Sequence, residues 1–263
     1  DAARLWKAQV EGLFQPVKSA ALEKRIPENL RGKDDGAGSQ WFGFSMRARM
    51  IVYNKASVNP ALVQNYEDLA RPELKGKVCT RSGAHPYMLS LIGAMSEHLG
   101  AAQAEQWAGG VVANFARKPR GGDTDQIRAV ASGECGVALT NTYYLARLMN
   151  STKPQDQEVV ARVGMVWPNQ KTWGTHVNVS GAGVARNAPN RDHAVRFIEF
   201  LVSDAGQRHF VDGNFEWPVV KSVKADKPEL AALGQFKADP LPVASIGRAQ
   251  VGASKIIDRV GWR

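Results

Sequence analysis

The chain predicts an α/β fold of two lobes joined by crossing strands, and three observations carry that reading. Strand-like and helix-like segments alternate along its 263 residues, a pattern that argues for parallel sheets covered by helices. Two strand-like stretches, residues 41–54 and 175–185, are long, the first about twice the usual five or six residues. They lie far apart in sequence, so each can run from one lobe into the other. The length suits one large or two medium domains, and 44% hydrophobic with 22% charged residues is ordinary globular composition.

Taken in order, residues 5–13 have helical spacing closed by Gly12, and 31–39 form a polar loop. The long strand 41–54 follows, then a short helix at 65–70 before Pro72. Residues 77–80 read as a strand, and 87–99 as a helix entered through a loop holding Gly83 and Pro86. Residues 101–116 and 124–132 are helical. The apolar run 137–139, led in by Gly133 and Gly136, reads as an interior strand, and 145–149 continues with helical spacing. After the second long stretch come helices at 191–202 and 255–260. No internal repeat or low-complexity tract is present.

Several functions are disfavoured at once. No apolar run approaches the ~18–20 residues of a spanning helix, and no leader remains at the N-terminus. Neither membrane insertion nor nucleic-acid binding is expected, because the net charge of +9 is scattered and forms no basic block or aromatic RNA-binding motif. Two cysteines, Cys79 and Cys135, are too few for a disulfide framework and lack CxxC spacing. A nucleophile elbow, a P-loop, an HExxH and a GxGxxG after a strand are all missing, so no catalysis is expected; Ser180-Gly-Ala-Gly183 reads as a hinge.

What remains is a pair of tyrosines. The chain has five, and Tyr143 and Tyr144 are adjacent just beyond the apolar run 137–139. Successive side chains of a strand point to opposite faces, so the two can share a ligand only where the chain turns between them, as at a strand-to-helix junction. Phenolate is a hard anionic oxygen donor, suited to a hard trivalent cation and not to zinc or copper(I), which points to Fe(III). With an ordinary pKa of about 10, the phenol needs the metal's charge to lose its proton. The same dipeptide also suits two amphipathic aromatics at a sheet edge.

Around the pair stand further candidates. Arg47 and Arg49, one residue apart on the first long strand, share a face, as a clamp for an anion beside the metal requires. The alternative is a solvated face with an interlobe ion pair, the reading favoured for Arg49. Asn141 can orient a phenolate through its amide, or simply open a turn. His176 and Asn178 are read as satisfied structural residues and His85 as a solvated loop residue. For Glu216, pairing with a basic residue between the lobes is the option at hand.

Four blocks together resemble the periplasmic ferric-ion-binding proteins, the substrate-binding components of bacterial iron ABC transporters. They are the Trp-x-Gly-x-Ser-x-Arg-x-Arg block from Trp41 to Arg49, Leu139-Thr-Asn-Thr-Tyr-Tyr144, Gly174-Thr-His-Val-Asn-Val-Ser-Gly-Ala-Gly-Val184 and Glu216-Trp-Pro218. The resemblance covers nearly the whole chain. It implies a two-lobed Venus flytrap with two hinge strands, a periplasmic monomer freed of its signal peptide, and Fe(III) as cargo for an ABC membrane permease. Carbonate or another synergistic anion is an implied companion. Tyr143 and Tyr144 inherit the metal, as does Tyr87 in Arg81-Ser-Gly-Ala-His-Pro-Tyr87, where one branch of the family adds a third tyrosine.

Under this reading residues 1–49 and 174–227 form the N-lobe and 50–173 and 228–263 the C-lobe. The C-lobe tyrosines capture Fe(III), and the N-lobe then rotates over it about residues 49–52 and 177–180. One departure stands out. Family members begin with a strand bearing a His or Tyr ligand, whereas this chain opens in the helix-forming Asp1-Ala-Ala-Arg-Leu-Trp, and the glutamate used by another branch is absent near Asp1. The expectation is that about 50–60 residues, two strands and a helix at usual element sizes, precede Asp1 and carry the N-lobe ligand, or that the N-lobe is poorly ordered. Cys79 and Cys135 lie on strands that, as parallel neighbours, would bring the thiols together for oxidation in the periplasm; two buried free cysteines are the other outcome. The alternative function is a flytrap-type carrier of a small organic or inorganic anion clamped by Arg47. Colour from phenolate-to-Fe(III) charge transfer separates the two.

Overall fold

The computed structural model describes residues Asp1–Arg263. In chain order its strands are β1 (Phe14–Gln15), β2 (Phe42–Asn54), β3 (Val78–Cys79), β4 (Val137–Asn141), β5 (Val163–Val166), β6 (Val177–Ala182), β7 (Val184–Ala185) and β8 (Trp217–Pro218). Its α-helices are α1 (Ala2–Val10), α2 (Ala20–Arg25), α3 (Pro86–Leu99), α4 (Ala101–Ala113), α5 (Asp123–Ser132), α6 (Thr142–Asn150), α7 (Pro154–Arg162), α8 (Arg191–Leu201), α9 (Asp204–Asn214), α10 (Pro228–Leu233), α11 (Val243–Arg248) and α12 (Gln250–Val260).

β2 organises everything else. Its first half, Phe42 to Ala48, pairs with β6, and Ser45 and Met46 also pair with β8; its second half, Arg49 to Asn54, lies between β4 and β5. The strand therefore belongs to two bodies, and the change of partners falls between Ala48 and Arg49. Around the first half, Phe42 and Phe44 pack with Leu5, Trp41, Val179, Ile198 and Ile246. Around the second half the side-chain alternation of a strand sorts residues cleanly. Ile51 joins Val137, Leu139 and the α3, α4 and α12 residues on one face, while Met50, Val52 and Ala138 join the α5, α6 and α10 residues on the other. Counting back by two from Ile51 puts Arg49 and Arg47 on the α3 face.

The chain returns through residues 167–176, with the Arg49 N–H donating to the His176 carbonyl at 3.0 Å. It also passes between the bodies in its last third. Val219, Val220 and Val223 pack with the first, Leu230 and Leu233 with the second, Val243 and Ile246 with the first again, and Ala253, Ile256 and Ile257 with the second.

Two expectations need correction. The sheets are not parallel: β2 runs antiparallel to β4, β5, β6 and β8, and only β3 and β4 are parallel. Alternation of strands and helices along the chain does not fix which strands become neighbours, and β2 inserts between strands that all enter from its far end. Residues 175–185 are also not one strand, because β6 and β7 are separated at Gly183. A Cβ there would lie 2.2 Å from the Gln40 carbonyl oxygen, so only glycine allows the approach that redirects β7 onto β1.

Candidate metal centre

β4 ends where it pairs with Arg49, at the junction of the two bodies, and α6 starts there with Asn141 as its N-cap. Tyr143 and Tyr144 are thus the second and third residues of a helix. Helical side chains tilt towards the N-terminus, so both phenols project beyond the helix start. Tyr87 is placed the same way as the second residue of α3, after His85 and Pro86, and proline is favoured at that first position because no helical hydrogen bond is lost. The Tyr87 and Tyr143 hydroxyls are hydrogen-bonded at 2.8 Å, the Tyr143 and Tyr144 rings are 4.4 Å apart, and those two hydroxyls also interact. The Tyr143 oxygen thus lies beside the phenols of both Tyr87 and Tyr144. No group of three or more His, Cys, Asp or Glu side chains offers a competing metal site.

Burial pushes the Tyr143 phenol well above its ordinary range, and hydrogen bonds with Tyr144 and then Tyr87 push further in that direction, against the lowering effect of Asn141. Without metal, Tyr143 therefore keeps its proton. Its surroundings nonetheless favour the charged form once a cation arrives. Two helix N-termini point at the site. The Arg81, Arg47 and Arg49 guanidinium carbons lie 5.0, 5.7 and 5.8 Å from the Tyr87 ring centre, and that of Arg147 lies 5.1 and 5.9 Å from those of Tyr143 and Tyr144. Removing a proton from an ordinary phenol of pKa about 10 at pH 7 costs roughly 4 kcal/mol, and more from Tyr143. A +3 ion about 2 Å from the oxygen contributes roughly 25 kcal/mol at an effective dielectric of 20 before its own dehydration, so the ion decides the protonation state.

The arginines are not on a solvated face. Arg47 and Arg49 are 6% and 1% exposed, covered by α3. Arg47 donates to the Ser180 hydroxyl at 2.7 Å, and Ser45 and Ser180 both donate to the Glu216 carboxylate, so Glu216 pairs with hydroxyls and not with a base. Arg49 pairs with Asp123 at 2.5 Å and donates to Asn141 Oδ1 at 3.0 Å. Asn178 is satisfied, accepting from the Ala2 and Val179 N–H groups and donating to Ser90. His176 is satisfied only through its backbone: its Nδ1 is buried without a partner, and burial, then Arg49, hold its pKa down to about 3.

His85 is not a free loop residue. Its Nδ1 accepts the Tyr87 N–H at 3.2 Å and its ring stands edge-on to Tyr87 at 4.4 Å. Burial, then Arg81, lowers its pKa to about 4. With Nδ1 accepting, the neutral ring carries its proton on Nε2 and lacks a lone pair for a metal. Cys79 and Cys135 are joined as a disulfide with Cα atoms 5.9 Å apart, tying the strand that precedes the Tyr87 loop to the lead-in of β4. Sequence reasoning missed Asp123, Arg81 and Arg147. Arg147 was within reach of it, since positions three and four residues after a pair of helical tyrosines share their face.

The sequence matches the family of bacterial extracellular solute-binding proteins over residues 4–238. It is 49% identical to the iron uptake protein A2 of a Synechocystis species, covering 100% of this chain and 75% of that protein. The structure superposes on the Trichodesmium protein FutA (IdiA) in complex with iron and citrate with a TM-score of 0.95, at 49% identity over 100% of this chain and 82% of that one. It also superposes on the ferric binding protein of Campylobacter jejuni with a TM-score of 0.93, at 40% identity over 99% and 81% of the two chains.

Proposed function

The chain belongs to the family of bacterial extracellular solute-binding proteins, and from that premise we propose that it captures Fe(III) on Tyr87, Tyr143 and Tyr144 and presents it to an ABC permease in the periplasm. The observation that carries this reading is the placing of Tyr143 beside the phenols of both Tyr87 and Tyr144, between two bodies that share one strand. Its relatives support the cargo: one is an iron uptake protein, and the Trichodesmium structure holds iron and citrate. The tyrosines all belong to the second body, residues 50–173 with 228–263 apart from the stretch at Val243 and Ile246 that packs with the first, and this body takes the ion first. The first body, residues 1–49 with 174–227, then closes over it by bending at residues 49–52 and 177–180. Arg47 serves as the partner of a carboxylate or carbonate anion bound beside the metal, and Asn141 orients the Tyr143 oxygen.

Capture has a proton balance. Each phenol that becomes a ligand releases one proton, and the bound ion's charge is compensated by up to three phenolates plus any companion anion. The test is direct: ferric citrate is added to metal-free protein and the visible spectrum is followed. A red or orange charge-transfer band is expected. A folded protein that stays colourless at stoichiometric iron overturns the assignment and leaves the anion carrier as the reading to pursue.

A further inference from the structure

We propose that Asp123 is the positioning residue of this site, a single buried carboxylate that holds in register both helix starts carrying the tyrosines and two of the arginines beside them. The inference rests on the tyrosine reading above. Asp123 is the first residue of α5 and its side chain is wholly buried. Its Oδ2 accepts from the Arg49 guanidinium at 2.5 Å and from the Asn141 backbone N–H at 2.7 Å, and its Oδ1 accepts from Arg81 at 3.2 Å.

Every one of these partners leads to a tyrosine. Asn141 occupies the N-cap position of α6 and its side chain interacts with Tyr143. Because Arg49 occupies Asn141 Oδ1, the amide NH2 is the group left to donate towards the phenol oxygen, which favours phenolate. Arg81 lies in the loop between β3 and α3, six residues before Tyr87, and lies over the Tyr87 ring. Arg49 is the first residue of the β2 half that pairs in the second body. Asp123, Arg49 and Asn141 close a triangle of bonds, so none of the three shifts without the others. One carboxylate thus ties β2, the α3 entrance and the α6 entrance together.

The charge count also matters. One carboxylate faces two guanidiniums, which leaves a surplus positive charge beside the Tyr87 ring where a phenolate is to form. Buried ion clusters are a poor route to stability, because apolar packing of equal volume often does as well. Holding geometry and field at the tyrosines is what this cluster supplies that apolar packing cannot.

The test compares the wild type with Asp123→Asn in the full chain, using Fe(III) with citrate as competing chelator. Melting temperature and circular dichroism are recorded to establish folding. A folded variant is expected to bind iron about 10–100-fold more weakly, as for other residues that orient metal ligands, with a displaced charge-transfer band. A merely structural role would lower the melting temperature and leave affinity and band unchanged. If Asp123→Asn does not fold, Arg81→Gln takes its place, since this side chain is 13% exposed and Asp123 keeps its pair with Arg49. It is expected to weaken binding to a smaller degree and to move the pH at which colour is lost upwards, because one cation favouring phenolate has gone. A coloured wild type with a folded variant unchanged in affinity, band and pH midpoint overturns this proposal alone. A wild type that stays colourless overturns the tyrosine reading and this proposal with it.

Discussion

Tyr143 sits between Tyr144 and Tyr87, so it is the phenol whose loss should disrupt the site most. Tyr143→Phe keeps the ring and removes only the oxygen. Iron affinity is expected to fall by orders of magnitude with the melting temperature close to wild type; a singly substituted protein that keeps full colour would show the oxygen is not a ligand. Protons compete for the same oxygens. Because burial and hydrogen bonding raise the Tyr143 pKa in the metal-free protein, affinity should drop as pH falls, by up to one decade per pH unit for each phenolate formed. A spectroscopic titration from neutral to about pH 5 that bleaches the band while the fold persists is the expected result. His176 titrates in the protein's stability instead. Its folded pKa, about 3, lies below the ordinary 6.5, so its contribution is complete above pH 6.5 and is lost as pH falls from there towards 3. Between pH 6.5 and about pH 4.5 the loss amounts to about 2–3 kcal/mol. His176→Gln should flatten the pH dependence of the unfolding free energy of the metal-free chain over that window, and an unchanged slope would remove His176 as its source. The tyrosine pair was legible because its members are neighbours in sequence. Asp123 was not, since what makes it matter is contact with residues 74, 42 and 18 positions away.

At the scale of elements, the strand-to-helix junction at Asn141 was readable from the glycine-led apolar run and the change of period after it, and β2 was readable from its length. The antiparallel order was not, because partner choice depends on chain reversal far from either strand. α7 escaped notice because Pro154-Gln-Asp-Gln-Glu carries no apolar stripe, and Val163–Val166 is too short to announce itself as β5. Two ties between elements give predictions. The Cys79–Cys135 bond closes a loop of 56 positions, for which chain-entropy reasoning gives about 4 kcal/mol and measured disulfides give about 2–4. Reduction, or Cys79→Ser with Cys135→Ser, should lower unfolding stability by that order, read by urea denaturation. The other tie is Tyr66. Its fully buried hydroxyl donates to the Arg49 carbonyl and accepts from the His176 N–H at 3.1 Å, stapling β2 to the returning segment where both pass between the bodies. Tyr66→Phe leaves that N–H without its partner and should cost about 1–3 kcal/mol; a variant as stable as wild type would show that water takes the place of the hydroxyl.

The staple also bears on how the whole molecule moves. On the assignment proposed above, the phenols come from the second body and the Arg47–Ser180–Glu216 cluster from the first, so the site would be complete only when the bodies meet. Closure needs segments that bend without losing their ladders. β2 changes partners between Ala48 and Arg49, and the returning segment reaches β6 at Val177, so each can pivot at that point while its pairing within either body stays intact. Iron shifts the equilibrium only as far as it binds the closed form more tightly than the open one. A compact single body of this length has a radius of gyration of about 18 Å. Small-angle scattering of the metal-free protein should give a larger value that falls towards this on loading with ferric citrate, and Tyr66→Phe should alter the metal-free value with little effect on the loaded one, because iron then holds the bodies together. A radius that stays constant through iron loading, in a protein that turns red, would mean that the tyrosines hold the ion without lobe closure.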